Sequence, residues 1–163
     1  MYIECGLFTE LIMDIFDQRI LESVQERADL THAELADRVH LSPSQCARRL
    51  GRLRDEGYIE RTVAVLDRKR LGIDVLAHVL ISLQAHEGSR NDAFKAFVDD
   101  APEVLECYMQ SGDADMLMKV AVTNLEALAG FIDRLIAVSG GLATLRSYIV
   151  LRPIKTGNRY PIG

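Results

Sequence analysis

Residues 41–57 read LSPSQCARRLGRLRDEG, with four arginines and no acid before Asp55, in a chain of net charge −5. The stretch is punctuated as a helix. Ser42 is a preferred N-cap, and Pro43 suits the first helical position, where its missing N–H costs nothing. Gln45 falls three residues after the cap, as a capping box requires, and Gly57 fits the left-handed residue beyond the end. The spacing predicts a helix from Pro43 to about Glu56, roughly 21 Å long at 1.5 Å per residue. At 100° per residue, Arg48, Arg49 and Arg52 lie within about 60° of Gln45. Cys46, Leu50 and Leu53 share another face, so the arginines are expected to point outward while the apolar stripe packs inward.

Two further helices are expected upstream. In DIFDQRILESVQERA, Asp14 is a plausible cap, and Ile20, Leu21 and Val24 share a face. THAELADRV opens on Thr31 with Glu34 three residues on, a second capping box, and its apolar positions are Leu35, Ala36 and Val39. Three helices with a short turn between the last two make a helix-turn-helix, whose final helix enters the roughly 12 Å major groove of DNA. Ser44, Gln45, Arg48 and Arg49, toward the N-terminal half of that helix, are best placed for base edges, and Ser42 at its cap is a further DNA-binding candidate. Gln45 is ambiguous, because a capping-box glutamine is occupied with its own backbone. Arg52, Arg38, Thr31 and His32 would meet phosphates from the flanks. The following YIERTVAVLD (58–67), rich in Ile, Val and Thr, is expected as a strand that could form a wing.

The charge distribution supports an anionic partner. Residues 38–70 hold nine Lys or Arg against four acids, while the remainder holds ten against twenty. That asymmetry points to nucleic acid at the basic segment and is hidden in the overall net charge. No run of about 18 apolar residues occurs, so no membrane-spanning helix is expected. The N-terminus lacks the basic region of a signal peptide. Three widely spaced cysteines, Cys5, Cys46 and Cys107, argue against a disulfide framework and for a reducing cytoplasm. Cys46 reads as packing beneath Leu41, and Cys107, alternating with Leu105 and Met109, as sheet core.

After residue 75 the texture changes. Ala77, Val79, Ile81 and Leu83 alternate with polar and apolar neighbours as in a strand; NDAFKAFVDDA (91–101) is helical. EVLECYMQ and MLMKVAV are strands joined by the turn SGDAD (111–115). NLEALAGFIDRLIAV is an amphipathic helix, and TLRSYIVL a last strand. The order is β-α-β-β-α-β, a ferredoxin-like arrangement, and the fold class is therefore α+β. SGDAD could offer backbone N–H groups to a carboxylate and an Asp to an amine, and it equally suits a plain hairpin. Gln84, His78 and His86 read as surface or interface residues, since the two histidines lie about 26 Å apart along a strand, too far to share a metal. No Ser/His/Asp, Cys/His, phosphate-loop or metal-ligand spacing supports an enzyme, and no cofactor is expected.

These residues together resemble the Lrp/AsnC, or feast/famine, family of transcriptional regulators. The resemblance rests on D-x-x-D-x-x-I-L at Asp14–Leu21 and ELADRVHLSPSQCARRLGRLRDEGYI from Glu34. SGDAD with L-M-K at 111–119 and SYIVL at 147–151 extend it, so that it covers residues 14 to about 155. It implies a DNA-binding domain at 14–62, a linker strand and hinge at 63–75, and an effector-binding and oligomerisation domain at 76–155. Residues 1–13 would be an N-terminal extension and 156–163 a C-terminal tail. It also implies a homodimer formed through the sheet and assembling to a tetramer, octamer or larger ring. Double-stranded DNA is the implied partner, and a small amino acid, bound between protomers, the implied effector. By motif, the effector residues would be Gly112, Asp113 and Asp115 in the loop, Leu125 at the second helix start, and Tyr148 in the last strand.

Overall fold

The computed structural model describes residues 13–83, 88–139, 142–157 and 159–162. The chain divides into two units. One contains residues 13–64 together with the segment from Lys155, and the other is Val65–Ile154.

The first unit is built from α1 (Ile15–Glu26), α2 (His32–Val39) and α3 (Pro43–Asp55). Each begins at a reciprocal capping box, on Asp14, Thr31 and Ser42 respectively. At Ser42, its N–H donates to Gln45 Oε1 at 3.1 Å while Gln45 N–H donates to Ser42 Oγ at 3.3 Å. His40, with φ of 57°, turns the chain out of α2. Gly57, with φ of 81°, closes α3. There Tyr58 N–H donates to the Leu53 carbonyl and Gly57 N–H to that of Arg54, both at 3.0 Å. That pair of bonds is a Schellman cap, which satisfies carbonyls the helix itself leaves open. Ile20, Leu21, Leu35, Ala36, Val39, Cys46, Leu50 and Leu53 form the core of this unit, flanked by Leu41 and Ile59.

The expected strand at 58–67 does not form. Residues 59–67 join no strand ladder among the described residues, and Val65 is 96% exposed. Their β-branched composition suits a strand, but a strand persists only against a ladder partner, and no described segment supplies one.

The second unit contains β1 (Val75–Leu83), α4 (Gly88–Asp100), β2 (Val104–Met109), β3 (Met116–Val122), α5 (Leu125–Ser139) and β4 (Leu142–Ile149). The strands form one antiparallel sheet in the order β2-β3-β1-β4, with β1 and β3 at its centre. This is the ferredoxin-like topology that the sequence pattern predicts. Ala77, Val79, Ile81, Met116, Met118, Val120 and Val122 face a single core with Phe94, Leu128, Phe131 and Leu135 of the helices. Gln84, His86 and Cys5 lie outside the residues whose side chains are described.

The edge strand β2 departs from simple alternation. Val104 pairs with Val120 and Glu106 with Lys119, so Leu105 is an extra, bulged residue. Val104 and Cys107 face the core, whereas Leu105 and Met109 are exposed. The expectation that Leu105 and Met109 share the core with Cys107 is thus corrected: the bulge breaks the period of two, and Met109 ends an edge strand. Burial raises the Cys46 and Cys107 thiols above the ordinary cysteine range, which fits two packing residues rather than reactive ones.

Phe131 is fully buried, 5.8 Å between ring centroids from Phe97. Phe131→Ala should destabilise the second unit by about 3–5 kcal/mol, read by urea unfolding followed through the sheet signal.

Candidate functional site

The solvent side of α3 carries Ser44, Gln45 and Arg48, all exposed. Arg48 makes no ion pair among the described residues. Gln45 spends its carbonyl oxygen on the capping box, where it accepts from Ser42 N–H and, at 3.0 Å, from Ser42 Oγ. The Gln45 amide NH2 donors take no part in that box, so the residue can cap and still donate outward. Ser42 Oγ lies 3.1 Å from Ser44 Oγ.

Arg49 does not face outward with Arg48. Its side chain is only 20% exposed, and its guanidinium meets Asp14 Oδ2 at 2.7 Å and Asp17 Oδ1 at 2.8 Å. It also lies 5.6 Å from the centroid of the Phe16 ring. Arg52 is intermediate. It donates to Asp17 Oδ2 at 2.5 Å, lies 3.7 Å from Glu56, and keeps 46% of its side chain exposed. Asp17 itself is 1% exposed, so a buried carboxylate holds two arginines of α3 against α1. Burying that charge would be prohibitive without such partners. The expectation of three outward arginines is therefore corrected: Arg48 is exposed with no ion pair among the described residues, Arg52 is divided, and Arg49 is held inward by Asp14 and Asp17.

Sequence reasoning missed Asp14 and Asp17 as positioning residues. A signal was present. Asp17 is three residues before Ile20, four before Leu21 and seven before Val24, so it falls on the apolar face of its helix. An acid on a buried stripe must find a cation or a set of donors.

The flanking residues are placed around α2. Thr31 is exposed, but its hydroxyl is engaged with Glu34, donating to Oε2 at 2.8 Å and accepting from the Glu34 N–H at 3.2 Å. His32 sits exposed in the first turn of α2, and Arg38, in the last turn, pairs loosely with Glu26 at 3.4 Å.

In the second unit, the loop between β2 and β3 is pinned to β1. Asp115 N–H donates to the Ile81 carbonyl at 2.9 Å, Gln110 N–H to the Asp115 carbonyl at 3.0 Å, and Ser82 Oγ to the Asp113 carbonyl at 3.2 Å. Gly112 has φ of 144°, a conformation that strains any residue with a Cβ. The loop is a fixed feature at one end of the sheet. Leu125 lies at the other end. It follows Val122, which pairs with Val75, whereas Met116 beside the loop pairs with Ile81. Six residues of strand separate the two ends, about 20 Å. Tyr148 is exposed between them, opposite His78. One chain therefore does not bring Gly112, Asp113, Asp115, Leu125 and Tyr148 together around a ligand as small as an amino acid.

The sheet face away from the helices carries a polar row. Tyr148 is opposite His78 and His78 opposite Lys119, whose ammonium donates to Glu106 Oε1 at 2.7 Å; Tyr108 Oη donates to Glu106 Oε2 at 3.2 Å. The Lys119 ammonium holds the Glu106 carboxyl below the ordinary range, against the opposing effect of burial. Leu76, Leu80, Leu117 and Ala121 flank this row, each partly exposed. No group of His, Cys, Asp or Glu suited to a metal ion occurs among the described residues.

Partial burial is the largest single influence on the Asp14 carboxyl and pushes its pKa up. The N–H groups of Asp17 and Phe16 and the Arg49 guanidinium together outweigh it, and the pKa is lowered. A lowered folded pKa contributes stability above the unfolded value of about 3.9 and loses it as pH falls through the folded value. Asp14→Asn should therefore destabilise the first unit at neutral pH and shrink its loss of stability on acidification below about pH 4. Thermal unfolding across that pH range checks both signs.

Residues 13–60 match the family model described as winged helix-turn-helix DNA-binding, and residues 76–160 the Lrp/AsnC ligand binding domain. The chain is 32% identical over 151 residues to the DNA-binding transcriptional activator DecR of Escherichia coli, covering 93% of this chain and 99% of that one. It is 31% identical over 150 residues to the leucine-responsive regulatory protein of Salmonella typhimurium, covering 92% of each. A transcriptional regulator of Neisseria meningitidis, solved as an L-Met complex, superposes with a TM-score of 0.86 at 32% identity, covering 91% of this chain and 96% of that chain. An AsnC family regulator of Agrobacterium tumefaciens gives 0.85 at 34%, with coverage of 91% and 97%. The two units in this order, the helix-turn-helix first and the ferredoxin-like sheet second, place the chain in the Lrp/AsnC family of DNA-binding transcriptional regulators, which are not enzymes.

Proposed function

We propose that this regulator reads a specific DNA sequence with Ser44, Gln45 and Arg48 in the major groove, and that a small amino acid bound between protomers modulates it. The exposed N-terminal half of α3, with Arg48 as its unpaired cation, supports the base-reading role. Ser42, Thr31, His32, Arg38 and the exposed part of Arg52 flank it as contacts to phosphate. Arg49 acts from behind, by fixing α3 on α1 through Asp14 and Asp17.

The observation that carries the effector half of the reading is the separation of its candidate residues. Gly112, Asp113 and Asp115 lie at one end of the sheet and Leu125 at the other, so a single site using both ends needs a second copy of the chain. The half-exposed apolar residues around the Tyr148–His78–Lys119–Glu106 row suit a homodimer through that face, from which larger rings would assemble. The loop offers backbone N–H groups for a carboxylate and Asp side chains for an amine, the two groups every α-amino acid presents. The neighbouring structure with L-Met supports the same ligand class for this chain.

Two experiments test the halves separately. A duplex selected by the wild-type chain from a random pool should bind Arg48→Ala more weakly by about 1–3 kcal/mol, with discrimination lost at one base position. Equal weakening across all sequences would make Arg48 a phosphate contact. For the effector, a thermal-shift screen of the twenty amino acids should find at least one ligand that stabilises the chain, by about 2.7 kcal/mol at a hundredfold excess over Kd. Asp115→Ala should remove that shift. An undiminished shift in the variant would put the ligand elsewhere.

A further inference from the structure

The segment from Lys155 to Ile162 follows the sheet unit in sequence but belongs to the helix-turn-helix unit. The Gln25 side chain, on α1, brackets one residue of it. Tyr160 N–H donates to Gln25 Oε1 at 2.6 Å, and Gln25 Nε2 donates to the Tyr160 carbonyl at 3.2 Å. A side-chain amide here does what a neighbouring strand would do, pairing both backbone groups of one residue. Two residues on, Ile162 packs against the core of the three helices. Arg159 approaches Glu26 Oε1 at 3.6 Å, while the other oxygen of that carboxylate takes Arg38 of α2. The ion pair is exposed and contributes little. The amide bracket and the half-buried Ile162 are the substantive contacts.

We propose that the segments 155–157 and 159–162 belong to a C-terminal strap that clamps α1 and thereby sets the position of the recognition helix, so that DNA affinity depends on a segment outside the three helices. The route is short. Gln25 is two turns along α1 from Asp17, and Asp17 carries Arg49 and Arg52 of α3. A loosened α1 takes with it the buried carboxylate on which α3 is hung. The strap is also the direct continuation of the chain from β4, which ends at Ile149. Ordering of the strap is thus open to influence from the sheet unit, independently of the chain crossing near Ala64.

The test uses the full chain with Gln25→Ala, which deletes the bracket but leaves the core intact, and Ile162→Asp, with Ile162→Leu as the conservative control. Hydrogen exchange of peptides covering α1 and affinity for the selected duplex are read at a temperature where every variant keeps native circular dichroism. Gln25→Ala should speed α1 exchange and weaken DNA binding by about tenfold, the scale of one or two net hydrogen bonds. Exchange in β1 and β3 should stay unchanged. Ile162→Asp should do the same or more, and Ile162→Leu should restore both readouts. If Ile162→Asp does not fold, Gln25→Ala alone decides. Unchanged α1 exchange, unchanged affinity, or tighter DNA binding in Gln25→Ala would each overturn the proposal.

Discussion

A single carboxylate governs the DNA-binding unit. Asp17 is buried on the apolar face of α1 and takes Arg49 on one oxygen and Arg52 on the other. The apolar stripe of α3 draws the helix onto the other two, but its arginines repel one another and prefer water. Asp17, with Asp14 beside it, converts two of those charges into attachment points. The apolar residues Cys46, Leu50 and Leu53 supply the contact area, but they are compatible with some sliding. The buried ion pairs fix which rotation of α3 presents Arg48, Gln45 and Ser44 outward. Such pairs are better evidence of specificity in geometry than of stability.

Much of this was legible in the sequence because helix ends are local. The three capping boxes involve residues three apart, and each forms as its spacing requires. The β-α-β-β-α-β order was legible for the same reason, since periodicity is written within each segment. The failures are all non-local. A helical wheel groups Arg48, Arg49 and Arg52, but it cannot show that an acid 32 residues earlier draws one of them in. Alternation placed Leu105 in the core, and a one-residue bulge set by pairing with β3 moved it out. The β-branched run at 58–67 has the composition of a strand, yet composition does not supply a partner.

The sheet unit shows a related division of labour. Its helix-covered side is a closed apolar core. Its other side mixes half-exposed leucines with a hydrogen-bonded polar row in which Lys119 and Glu106 satisfy each other. A face of this kind is neither committed to water nor able to stand alone as a core. The pinned turn at 111–115 and the start of α5 are held rigidly, one at each end of that sheet. The unit carries these two features at opposite ends of one sheet, and it matches the Lrp/AsnC ligand binding domain over residues 76–160.

The strap changes what counts as one piece of this molecule. The polypeptide passes between the two units twice, once near Ala64 and again near Ile154. Cutting the chain near Ala64 with a protease would sever one connection and leave the other, because the C-terminal fragment would still hold α1 through Gln25 and Ile162. A nicked preparation would split into two bands under denaturing conditions and travel as one species under native ones.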